Sequence, residues 1–97
     1  MLPILYLPEA AFDMDAVSIE YEQRRAGLGD QFLEAVRQRV DAIRQNPLLY
    51  GEAYPGIRAV PLRRFPYIIY YRIESTHIPV IAVRHGHDDP AIWQTRS

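Results

Sequence analysis

The sequence predicts an α+β fold of order β-α-α-β-β-β, with a helical hairpin packed on one face of a small, mainly antiparallel sheet. Three observations carry that prediction. Two apolar stripes at helical spacing lie between residues 8 and 46, separated by a short break that contains Gly27 and Gly29. Three runs rich in Ile, Val, Tyr and Phe follow between residues 57 and 85, divided by turn-forming residues. A lone apolar run, LPILYL at 2–7, precedes both helices.

That first run is too brief for helical burial and ends at Pro8, a residue well suited to start a helix, so it reads as a strand. From 8 to 26, Ala10, Met14, Val17 and Tyr21 recur at spacings of four, three and four, which places them on one face of a helix. The second helix follows the glycines and runs to Asn46. Phe32, Val36, Val40 and Ile43 share its apolar face with Leu33 beside them, and Pro47 steers Asn46 away from helical dihedrals. Glu34/Arg37, Arg37/Asp41 and Asp41/Arg44 lace the outer face at i,i+3 and i,i+4 spacing, each pair contributing a few tenths of a kcal/mol. A break this short between two helices leaves room for an antiparallel hairpin.

The hairpin needs a cover for its apolar faces. LLYGEAYPG at 48–56 reads as an irregular linker, and IRAVPLRRF (57–65), PYIIYYRI (66–73) and HIPVIAVRH (77–85) read as a meander of three strands. In the middle run Tyr67, Ile69, Tyr71 and Ile73 point to one side, and Ile68, Tyr70 and Arg72 to the other. Both faces are apolar, so this strand belongs at the centre of the sheet.

Ninety-seven residues suffice for one domain, 1–97, burying roughly 60–65% of the surface exposed by the unfolded chain. The chain has no cysteine, which excludes disulfides, thiolate metal sites and cysteine nucleophiles. No apolar run approaches the ~20 residues of a membrane span, and the apolar start lacks a basic leader, so a cytoplasmic location is expected, with no membrane partner. The formal net charge of -1 argues against a globally basic nucleic-acid coat. Charge is nevertheless segregated. Acids alone occupy 9–22, whereas Arg58, Arg63, Arg64 and Arg72 are the only charges between Glu52 and Glu74, and every basic side chain is arginine.

LGDQFLEAVRQRVDAIRQNPLLYG, IRAVPLRRFPYIIYYRI and VIAVRHGHDDPAIWQTR together resemble the ParE branch of the RelE/ParE superfamily, the toxins of bacterial type II toxin–antitoxin pairs, often labelled plasmid stabilisation proteins. Ala10, Asp13, Met14, Val17 and Tyr21 fit the same family's first helix, and the combination of RFPYIIYYR with H-G-x-x-D-P-x-x-W is its most specific part. The resemblance implies a RelE/ParE-like fold and a chain that arrests growth unless a cognate antitoxin binds it. ParE-like members are associated with poisoning DNA gyrase. RelE-like members are ribosome-dependent endonucleases that cut messenger RNA.

The gyrase reading is favoured by the net charge, by Trp93 and by the lack of a C-terminal tyrosine; intrinsic catalysis is then not expected. Arg58, Arg63, Arg64, Arg84, His85, His87 and Trp93 are the candidate target-binding residues. Val17, Tyr21, Phe32 and Val36 are the candidates for antitoxin contact, because an apolar inter-helix groove and an open sheet edge both accept a partner segment. If the chain were a nuclease, Arg63, Arg64, Arg84, His85 and His87 would have to supply charge stabilisation and proton transfer. One departure stands out: His85-Gly86-His87-Asp88-Asp89-Pro90 replaces the family's H-G-R-R-D-P, exchanging two fixed positive charges for an imidazole and a carboxylate. A non-toxic binding module of the same fold is therefore a third reading. HGHDD invites a metal as well, yet no further ligand cluster completes a coordination shell, and neither a metal nor a cofactor is expected. The plain readings are a strand-end hydrogen bond for His85, a turn-capping carboxylate for Asp89 and a packing anchor for Trp93.

Overall fold

Pro8 opens the first long element of the computed structural model, which describes residues 1–96. Helix α1 (Pro8–Arg24) follows strand β1 (Ile4–Tyr6), with Glu9 in its first turn and Arg24 in its last, both complementing the helix dipole. Arg25 is already extended and Gly27 is left-handed (φ 89°), so the chain reverses into α2 (Leu28–Gln45). The reversal is stapled from α1: Glu22 Oε2 accepts the Gly27 N–H at 2.8 Å and Oε1 the Gly29 N–H at 3.0 Å. Donors at a helix start that have no intrahelical acceptor are thereby satisfied. Gly29 also permits close helix approach, since a Cβ there would lie 2.5 Å from the Ser18 carbonyl oxygen.

The sheet runs β1-β5-β4-β3-β2, formed with β2 (Glu52–Tyr54), β3 (Ile57–Pro61), β4 (Tyr67–Tyr71) and β5 (Ile78–His85). Among the described residues the β1–β5 pair is parallel, with Ile4 opposite Ile78, and the other pairs are antiparallel. β4 is the central strand, and its alternation sorts the two cores as the sequence predicts. Ile69 and Tyr71 join Phe32, Val36, Val40 and Ile43 under the helices, whereas Tyr70 joins Ile57, Ile81 and Trp93 on the other face. Each large apolar side chain so buried contributes about 1.5–3 kcal/mol. Burial pushes the Tyr71 hydroxyl up to about 12, and that hydroxyl donates to the Pro47 carbonyl at 2.7 Å.

Three elements and one ion pair differ from the sequence expectation. The run at 57–65 is a strand only to Pro61, because Pro61 and Pro66 bracket a turn closed by the Leu62 N–H on the Tyr67 carbonyl, and Arg64 there adopts φ 69°. The 48–56 linker contains β2, whose residues are all exposed and so carry no apolar alternation to read. A short helix, α3 (Ala91–Gln94), follows the last strand, seated on Pro90. On α2, Arg37 pairs with Glu34 and Arg44 with Asp41, while the expected Arg37–Asp41 pair is absent among the described residues. No helix among the described residues is long and apolar enough to cross a membrane.

Candidate functional site

Asp13 is 4% exposed and sits on the inward face of α1, one position before Met14. A carboxylate buried there requires partners. Its Oδ2 accepts the Val83 N–H at 3.1 Å and Arg96 Nη1 at 2.7 Å, and its Oδ1 accepts Arg84 Nη1 at 3.1 Å and Arg96 Nη2 at 3.3 Å. Arg84 Nε turns the other way, to Asp88 Oδ2 at 3.0 Å. The same oxygen accepts the His85 N–H at 3.2 Å. Helix α1, the end of β5 and the C-terminal segment are thus held by one ionic cluster in which both oxygens of Asp13 are taken and Asp88 is engaged through Oδ2.

Beside the cluster lies a cleft of about 330 Å³, lined by Val17, Tyr67, Val83, Arg84, His85 and Asp88. The Tyr67 and His85 rings meet edge to face at 5.3 Å. Burial first, then the nearby Tyr21, Glu20 and Asp88, hold the Tyr67 hydroxyl above its ordinary value. His87 N–H donates to His85 Nδ1 at 3.0 Å, so that nitrogen carries no proton and Nε2 is the donor. His87 itself is exposed, and Asp89 Oδ1 accepts the Ala91 N–H at 3.0 Å, which caps the turn.

The remaining expected residues lie apart from this cleft. Trp93 is 4% exposed and stacks on Tyr70, with ring centroids 4.0 Å apart, on the sheet face away from the helices. It packs as a core anchor and leaves almost no surface for a target contact. Arg58 is bound to the Tyr50 carbonyl at 2.6 Å and stands 3.9 Å from Glu52. Arg63 and Arg64 join Arg39 from α2 around a groove of about 550 Å³, floored by Ala35 and Ala42 and bordered by Gln38. Among the described residues, Arg25, Arg39, Arg63 and Arg64 are the arginines that make no ion pair.

The four residues expected to meet an antitoxin divide as well. Phe32 and Val36 are fully buried, so they present no surface to a partner and serve the core instead. Tyr21 is half-buried within an aromatic cluster with Phe32, Phe65 and Tyr67, its ring 5.1 Å from that of Phe65. Val17 is half-buried and lines the cleft. Tyr67, Asp88, Arg96 and Arg39 are additions that sequence reasoning missed. Arg39 had a signal, since it falls between Val36 and Val40 on a helix and is the cation nearest the apolar face. Arg96 had none, because its partner is 83 positions away.

The model of the family described as "ParE toxin of type II toxin-antitoxin system, parDE" matches residues 4–90. The chain belongs to the ParE toxin family. Toxin ParE2 of Mycobacterium tuberculosis, in strains CDC 1551 / Oshkosh and ATCC 25618 / H37Rv, is 34% identical over 59 residues, which are 61% of this chain and 53% of the relative. The chain therefore spans about half the length of the curated relatives it matches. Two solved structures share its fold. A chain of the chromosomal ParDE TA system from P. aeruginosa aligns with a TM-score of 0.66 and 22% identity over 88% of this chain and 96% of that one. A chain of the YoeB dimer from Staphylococcus aureus aligns at 0.62 and 16% identity over 89% and 98%. Identities this low speak for the ParE-like fold alone.

Proposed function

We propose that this ParE family member is a growth-arresting toxin, held inactive by a cognate antitoxin, that acts by binding DNA gyrase in the cytoplasm and not by catalysis of its own. The observation that carries the non-catalytic part is the double pairing of Arg84. Its Nη1 is held by Asp13 and its Nε by Asp88, so two carboxylates already offset the charge that would stabilise a phosphorane. Tyr67, whose proton is held more tightly than usual, is a poor general base, and His85 Nδ1 is occupied by the His87 N–H. Net charge -1 further disfavours docking on ribosomal RNA.

A second reading, as a messenger-RNA endonuclease, draws on the cleft that gathers Tyr67, Arg84 and His85. Induction of the chain alone separates the two. Gyrase-linked DNA breaks and a DNA-damage response, suppressed by co-expression of the antitoxin from the adjacent gene, are expected. A rapid stop in translation with cleaved messages would replace the gyrase reading by the nuclease, and unimpeded growth would leave a non-toxic binding module.

A further inference from the structure

The groove between α2 and the β3–β4 turn lies outside the cleft on which the functional reading rests. Its three cations, Arg39, Arg63 and Arg64, have no acid within ion-pair reach among the described residues, although the chain carries 12 acids against 11 bases. Arg39 Nε is buried and has no hydrogen-bond partner among the described residues. An unsatisfied buried donor is costly, more so on a charged group, and an incoming acceptor relieves that cost. Arg64 stands at φ 69°, a backbone conformation that a side-chain-bearing residue adopts at a cost, and its guanidinium carbon lies 5.9 Å from the Phe65 ring centre. Unpaired cations, an orphaned buried donor and a strained turn converge on one concavity.

We infer that this groove binds an acidic peptide segment of a partner protein, with carboxylates on Arg39, Arg63 and Arg64 and an apolar side chain between them on Ala35 and Ala42. Three features favour a peptide over a nucleic acid. The floor is two alanines, which an aliphatic side chain fills and a phosphodiester does not. The volume, about 550 Å³, suits a short segment and not the long basic track that follows a nucleic-acid backbone. Glu9, Asp15, Glu20 and Glu22 on α1, and a net charge of -1, oppose the approach of a long polyanion. The arginine fork takes a carboxylate in two parallel hydrogen bonds, so the side chains present match the ligand chemistry.

Fluorescence anisotropy on the whole chain tests this with three labelled probes: a short peptide of alternating glutamate and leucine, its lysine–leucine counterpart, and a DNA duplex. The acidic peptide is expected to bind, the basic one not to bind, and the duplex not to displace the acidic peptide. Arg39→Gln and the pair Arg63→Gln/Arg64→Gln should each weaken the acidic peptide by about tenfold or more. Arg25→Gln, which removes an unpaired arginine that does not line the groove, should leave binding unchanged. Circular dichroism confirms that the variants are folded, and the wild-type comparison of probes needs no variant at all. The inference is overturned if the acidic peptide does not bind, if Arg25→Gln weakens it as much as the groove variants do, or if the duplex competes for the same arginines. Growth arrest is a separate readout: a chain that binds the acidic peptide yet leaves growth normal loses the toxin reading and keeps the groove.

Discussion

Arg84 and Arg96 in the Asp13 cluster, and Arg39, Arg63 and Arg64 around the α2 groove, are the same residue type put to opposite uses. The first two converge on a carboxylate that is 4% exposed, and all of its strong acceptor directions are taken. The other three surround open space. Arginine is charged under all conditions a protein meets, so what separates strut from binding group is the local supply of acceptors. Where an acid is buried with the cation, the pair holds elements together. Where none is supplied, the charge waits for one from outside.

The largest expected effect comes from breaking the saturated side. Asp13→Ala leaves two part-buried guanidinium groups and the Val83 N–H without their acceptor, and removing one member of a buried pair costs about 3–5 kcal/mol. Urea denaturation should show that loss as a lower midpoint. Gln at Arg39, Arg63 or Arg64 should shift the same midpoint by no more than about 0.5 kcal/mol each. Equal losses on the two sides would end the contrast.

Next in size is the response to alkaline pH, which separates tyrosine burial from arginine pairing. The Tyr71 hydroxyl ionises at about 12 in the folded chain against an ordinary value near 10, so between those values the folded state holds a proton that the unfolded state has released. Stability is therefore unaffected below pH ~10 and falls as the pH rises from there through 12. Thermal midpoints measured across this window should decline, and Tyr71→Phe should flatten the decline. Tyr6, Tyr67 and Tyr70, also raised by burial, add to it in the same direction.

The architecture was legible because its signals are periodic. Ala10, Met14, Val17 and Tyr21, then Phe32, Val36, Val40 and Ile43, mark faces that the core uses as written, and the alternation of β4 divides correctly between two faces. β2 was not legible, since Glu52, Ala53 and Tyr54 pair with β3 and are all exposed, so no buried alternation marks them. The site was harder to read for a related reason. A sequence shows that arginines are plentiful, but whether each is neutralised depends on contacts across 71 or 83 positions, as at Arg84 and Arg96. The base-only stretch pointed to Arg63 and Arg64, and it equally pointed to Arg58, which is tied to the Tyr50 carbonyl. Trp93 and Phe32 show the converse difficulty: a large aromatic suits a contact surface or a core, and burial alone decides.

The smallest expected effect is also the most discriminating, because it opposes stability to binding at a single position. Arg64 holds φ 69° in a turn between Pro61 and Pro66, a conformation glycine adopts freely and a side-chain-bearing residue adopts at a cost of about 1–2 kcal/mol. Arg64→Ala keeps the strain and removes the charge, so its unfolding midpoint should stay close to that of the parent. Arg64→Gly removes both, and after the extra freedom that glycine gains in the unfolded chain it should be more stable than Arg64→Ala by about 1 kcal/mol or less. Both variants should lose the acidic peptide to the same degree. If Arg64→Gly is the less stable of the two, the turn does not store strain, and the cation is then held in the groove by the Phe65 ring and the turn's own hydrogen bonds. If it is the more stable, the chain keeps a strained arginine where glycine would serve the fold better, as expected of a residue held there for what it binds.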